Sequence, residues 1–169
     1  MNNKAILAIV ISLFFTLSHA ATQDISISEK AISVTVNESW SMISERKTTN
    51  EEMTFKSANN EVIILTYNKE MIPRENANVL KEDQKPDLKI IAIAPQLNPT
   101  YHSDSIIKIR NGDAYKVKAY FDSQGVECQI MVLMGYYDIG FWQVSFIGRK
   151  EANWDNFEAL AKTIKIKSP

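Results

Sequence analysis

Three chain reversals at near-regular spacing constrain this sequence more than any other feature. Ile106, Ile107 and Ile109 lead into Asn111-Gly112-Asp113, where Asn and Gly tolerate the positive φ of a tight hairpin. Tyr115, Val117, Ala119 and Phe121 then alternate along the next run until Ser123-Gln124-Gly125 turns the chain again. Val126, Cys128, Ile130, Val132 and Met134 make one face of a long strand, and Glu127, Gln129, Met131 and Leu133 the other. After Asp138-Ile139-Gly140, Phe141, Gln143 and Ser145 face opposite to Trp142, Val144 and Phe146. A period of two decides which side chains share a face, so residues 104–147 read as a four-stranded antiparallel meander.

Such a sheet needs a cover, and the last element supplies one. Asn153 is a suitable cap, and Trp154, Phe157, Leu160, Ala161 and Ile164 recur at helical spacing. Glu151 and Asp155 near the start, with Lys162 and Lys165 near the end, carry the signs the helix dipole favours. Upstream, Ile25, Ile27, Ile32, Val34 and Val36 alternate with Ser and Thr as one half-buried strand, ended by Asn37-Glu38-Ser39-Trp40. Residues 53–56 and 61–67 form a hairpin around Ser57-Ala58-Asn59-Asn60, and the β-branched second run is expected to be central.

Pro73, Pro86, Pro95 and Pro99 punctuate residues 70–103. Within them, Leu88, Ile91 and Ala92 fit a short helix starting near Pro86, whereas Leu88, Ile90 and Ala92 fit a strand as well. A helix with surface loops on both sides is the expectation. The fold class is therefore α+β: an antiparallel sheet of about six to seven strands with a C-terminal helix and one or more short helices packed on it, in a single domain over residues 21–169.

Residues 1–20 read as an address. Lys4 precedes the apolar run Ala5 to Leu17, which ends in Ser18-His19-Ala20, the plan of a secretory signal peptide cleaved after small residues. The run is shorter than the roughly 20 residues of a spanning helix. Ala21-Thr22 follow, where a lipoprotein would need cysteine. The expected product is exported, to the periplasm of a Gram-negative cell or otherwise secreted, with no stable membrane insertion after cleavage.

Charge and motif content narrow the function. The full chain of 169 residues holds 19 basic and 20 acidic side chains, so no broad basic surface for nucleic acid is expected. Gly-x-Ser-x-Gly, His-Glu-x-x-His, the Walker loop and Gly-x-Gly-x-x-Gly are all absent. No cofactor and no metal are expected. His102, two residues before Asp104, is the one imidazole beyond the leader; it fits an exposed loop histidine better than a general base paired with that carboxylate. Cys128, in phase with Val126 and Ile130, reads as a small buried apolar residue. Tyr136 and Tyr137 are adjacent at a hairpin end, so one of them must point outward, which makes the pair the candidate partner-binding spot.

The strand running into Asn37-Glu38-Ser39-Trp40, the closing Gly140-Phe141-Trp142-Gln143-Val144-Ser145 strand and the Phe157-containing helix before Ile164-Lys165-Ile166 resemble the PsbP/Mog-like family of small domains, including exported bacterial members of the DcrB type. Family members often carry a Pro-x-x-Trp turn where this chain has Asn37. The resemblance implies an antiparallel sheet with packed helices and a non-catalytic role beside a protein partner. The functional expectation is a non-enzymatic exported binding or accessory protein acting on another envelope or secreted protein, in envelope assembly or as an inhibitor or immunity protein. The alternative is a small-molecule or lipid carrier with a pocket between the sheet and the C-terminal helix; an enzyme using His102 ranks third.

Overall fold

Alternation becomes a sheet whose two faces have separate cores. The computed structural model describes residues 22–27, 32–37, 39–69, 79–109, 112–137 and 140–166. The strands are β1 (Thr22–Ile27), β2 (Ile32–Asn37), β3 (Trp40–Arg46), β4 (Asn50–Ser57), β5 (Val62–Asn68), β6 (Thr100–Ile109), β7 (Gly112–Ser123), β8 (Val126–Tyr137), β9 (Gly140–Arg149) and β10 (Lys165–Ile166). The α-helices are α1 (Lys85–Ala92) and α2 (Trp154–Ala161). Seven strands pair antiparallel in the order β3-β4-β5-β9-β8-β7-β6, and a small sheet pairs β1-β2-β10. The α+β class expected from the sequence is the one observed.

The meander is β6 to β9, in the register the alternation requires. Met131 and Leu133 of β8, with Trp142, Val144 and Phe146 of β9, enter a core closed by the small sheet and Phe157 of α2. Ile130, Val132 and Met134, with Tyr115, Val117 and Ala119 of β7, enter a second core closed by Leu88 and Ala92 of α1. At the β7–β8 turn Gln124 and Gly125 have φ of 55° and 84°, the left-handed pair that suits a two-residue hairpin, and Asp122 Oδ1 accepts the Gly125 N–H at 2.8 Å. The strand expected over residues 61–67 is internal, between β4 and β9. The segment starting near Pro86 is helical, with proline in its first turn, where a missing N–H costs nothing.

Three expectations need correction. Residues 25–36 are not one strand but two, β1 and β2, paired with Ile27 opposite Ile32. The apolar positions change parity between Ile27 and Ile32, so a single strand would have turned one group to solvent; a reversal puts both on the core. Asp113 lies inside β7, buried, and not in a turn. Its Oδ2 accepts the Leu80 N–H at 3.2 Å, which ties the segment leading to α1 to the sheet. Cys128 is half-buried, opposite Phe121, and not fully enclosed; burial pushes its thiol pKa up, chiefly by desolvation.

Candidate functional site

The sheet face beneath α2 carries two kinds of residue. Toward β9 it is apolar, and Gly148 leaves room for the Phe157 ring, since a Cβ there would lie 3.0 Å from Cζ. Toward the β6 edge, alternation along β7 puts Lys116, Lys118 and Tyr120 on this face, because Tyr115, Val117 and Ala119 take the other. Above them α2 presents Trp154 and Glu158, four residues apart and so on one stripe. Asn153 Oδ1 accepts the Asp155 N–H at 2.9 Å, the cap expected from the sequence.

Glu158 joins the helix to the strand. Lys116 Nζ donates to Oε1 at 2.9 Å, and Lys118 Nζ lies 2.7 Å from the same oxygen. Burial alone would push the Glu158 carboxyl up, but the bonds from Lys118 and Lys116 outweigh it and hold the group below its ordinary range. A depressed carboxyl contributes stability above its unfolded pKa and loses it as pH falls through the folded one. We therefore expect Glu158→Gln to be less stable than the parent at pH 7, by up to about 1 kcal/mol for a part-exposed pair. That gap should close as pH falls below the ordinary glutamate value of 4.5. Urea melts of both proteins at pH 7 and pH 3 read this, and a gap that stays constant would refute it.

Beyond the helix start lies an aromatic group. Trp154 Nε1 donates to the Tyr120 hydroxyl at 3.2 Å, and Lys118 Nζ sits 5.1 Å from the Trp154 ring centroid. His102 lies parallel to Trp154, at 6.3 Å between centroids and 7° between planes. It belongs to β6 and not to a loop. A bulge explains its position: Tyr101 pairs with Ala119 and Ser103 with Lys118, leaving His102 as the extra residue. The slip keeps His102 on the α2 face while Asp104, opposite Val117, turns to the α1 face. There Asp104 Oδ2 accepts the Tyr115 hydroxyl at 2.9 Å and lies 3.9 Å from Lys89 Nζ. Burial first, and then this bond, raise the Tyr115 phenol pKa. The sheet therefore stands between His102 and Asp104, two residues that an unbroken strand would place side by side.

Toward the other end of α2 the sheet and the chain diverge around a cavity of about 480 Å³. Ile107, Ile109, Ala161 and Ile164 supply its apolar surface, and Lys116, Lys162 and Lys165 its charge, with Glu158 as the one lining carboxylate; Lys108 borders it but turns its ammonium to the α1 face. This volume lies in the range of about 300–1,000 Å³ that small ligands occupy. Lys108 pairs with the buried Asp113 at 2.6 Å and Lys165 with Asp24 at 3.5 Å. Among the described residues, no cluster of three His, Cys, Asp or Glu side chains is arranged to hold a metal.

Of the aromatic pair at the β8–β9 hairpin, Tyr136 is half-buried and packs edge-to-face on Phe141, with 5.4 Å between centroids. The Tyr137 side chain lies outside the described residues. The lysines of the α2 face went unnoticed in the sequence, although Lys116-x-Lys118-x-Tyr120 on β7 and the spacing from Trp154 to Glu158 to Lys162 were the available signals.

No family sequence profile matches the chain, and no curated protein matches it by sequence. Solved structures do. A Bacteroides thetaiotaomicron protein, 13% identical with a TM-score of 0.58, aligns over 86% of this chain, which spans about half of that protein, 48% of its length. The cyanobacterial PsbP of Synechocystis sp. PCC 6803 is 10% identical, with a TM-score of 0.63 over 90% of this chain and 96% of its own. LpqN, involved in cell envelope biogenesis of Mycobacterium tuberculosis, is 12% identical with a TM-score of 0.48 over 94% and 97%. The two-faced antiparallel sheet with its C-terminal helix is thus a PsbP-like α+β fold.

Proposed function

We propose that the chain is an exported, non-catalytic accessory protein that holds a small ligand between the sheet and α2 and works beside another envelope or secreted protein. The cavity of about 480 Å³ between β6, β7 and the end of α2 carries this reading, because it lies where a carrier of this architecture would hold its cargo. The leader pattern of residues 1–20 supports export; those residues lie outside the described ones. The separation of His102 from Asp104 by the sheet supports binding over acid–base catalysis. Tyr136, packed on Phe141, offers less free surface to a partner than the apolar pair Ile90 and Ile91 on α1, which are 62% and 48% exposed.

Native mass spectrometry of the protein purified from the envelope fraction of its own cells tests this reading. A small added mass is expected on the parent and not on Ile109→Trp or Ile107→Trp, variants that fill the cavity and whose folding circular dichroism would verify. Bare protein, or the same added mass on both filled variants, would sink the cavity reading. A co-purifying protein with no small adduct would return the function to macromolecular contact.

A further inference from the structure

We infer that the ligand of the cavity is an anionic amphiphile, an apolar chain ending in a carboxylate or phosphate, and that Glu158 sets its affinity by competing for the same lysines. This rests on the carrier reading above.

Charge is the first observation. The chain as a whole carries −1. Around the cavity, however, Lys116, Lys118, Lys162 and Lys165 stand against the carboxylates of Asp24 and Glu158, leaving a net positive charge of two, while Lys108 turns to the α1 face with Asp113. Among the described residues Lys162 has no carboxylate within ion-pair distance. A positive site on a protein of nearly balanced charge, partly walled by low-dielectric side chains, attracts anions more strongly than the same lysines spread over the surface.

Apolar lining is the second. Ala161 and Ile164 are 5% and 3% exposed and continue the main core, while Ile107 and Ile109 are half-buried beside them. A free inorganic anion would leave this surface wet, and a neutral hydrocarbon would leave the lysines unused. A molecule with an anionic head and an apolar tail satisfies both, the head among Lys116, Lys162 and Lys165 and the tail along the isoleucines.

Glu158 is the third. It is the lining group of the wrong sign, and it already neutralises Lys116 and Lys118 at 2.9 and 2.7 Å. An incoming head meets repulsion from this carboxylate and competition for those two cations. Removing the Glu158 charge should therefore strengthen anion binding even though it weakens the fold, a combination that general damage to the site does not produce.

Isothermal titration calorimetry with defined probes decides the matter: decanoate, decyl phosphate, decanol, acetate and inorganic phosphate, against the full exported protein at pH 7. Decanoate and decyl phosphate are expected to bind, and decanol, acetate and phosphate to bind far more weakly. Lys162→Ala and Lys165→Ala should each weaken decanoate by about fivefold, and added salt should weaken it further. Glu158→Gln should tighten it by about fivefold. A preference for decanoate over decyl phosphate would assign a free fatty acid, and the reverse a phosphorylated lipid. Decanol binding as well as decanoate, or a Glu158→Gln variant that binds decanoate no better than the parent, would overturn the inference. An uncharged ligand retained in native mass spectrometry would overturn it while leaving the carrier reading intact.

Discussion

Truncating Trp142 to alanine is expected to cost about 3–5 kcal/mol, the range for removing a buried large aromatic side chain. Trp142 is fully buried near the start of β9, with Tyr67 of β5 opposite on one side and Gly135 of β8 on the other. Its ring occupies the space that Gly135 leaves open: a Cβ at that glycine would lie 3.1 Å from the indole and 3.0 Å from the Asp113 carbonyl oxygen. No smaller neighbour can swing into the space, because β5, β8 and β9 are held in register on both sides. Domains of this size are stable by about 5–15 kcal/mol, so the loss removes a large part of the whole. Urea unfolding checks it through a lower midpoint at unchanged slope. A loss under about 1 kcal/mol would show that the ring is not a structural centre.

Phe157→Ala is expected to cost a similar amount, about 3–5 kcal/mol, but with a local signature. The ring is fully buried and stacks on Phe146 at 6.0 Å between centroids, over the room left by Gly148. The helix that carries it, Trp154–Ala161, has eight residues, well short of the roughly 12–15 at which an isolated helix becomes even marginally stable in water. Its order therefore depends on this contact more than on its own hydrogen bonds. Amide exchange in residues 154–161 should accelerate far more than in β8 and β9, and the cavity wall should loosen with it. Equal acceleration throughout would mean that helix and sheet open as one unit.

Legibility of the sequence followed burial. In β7, β8 and β9, one or both faces enter a core, so the alternation of Tyr115-Val117-Ala119 or Trp142-Val144-Phe146 reads directly onto the sheet. β3 gave no such signal: beyond Trp40 each of its residues is exposed, and an edge strand with both faces near water has no period to read. The β1–β2 reversal was recoverable from the parity change between Ile27 and Ile32, a cue weaker than the glycine turns farther on. In the candidate site the alternation of β7 carries Lys116 and Lys118 off the core face, a cue that was missed, and nothing local signals that Glu158, 42 residues from Lys116, stands over them. The bulge at His102 shifts by one residue which side chains meet, and no local residue type announces it.

The pairing of β2 with both β1 and β10 bears on the order of folding. Lys165 and Ile166 lie opposite Ser33 and Ile32, and the Thr163 hydroxyl accepts the Thr35 N–H at 3.0 Å across 128 residues. Ribosomal synthesis delivers β1 and β2 well before β10. During that interval the fully buried Ile32 and Val34 lack one of their final neighbours. Closing so long a loop is an entropic cost met only at the end, which favours slow completion and prolonged exposure of this early hairpin. A two-residue strand thus acts as a clock for the nascent chain: until it emerges, the β1–β2 hairpin carries apolar surface without its last cover, the condition in which a folding chain is most prone to aggregate.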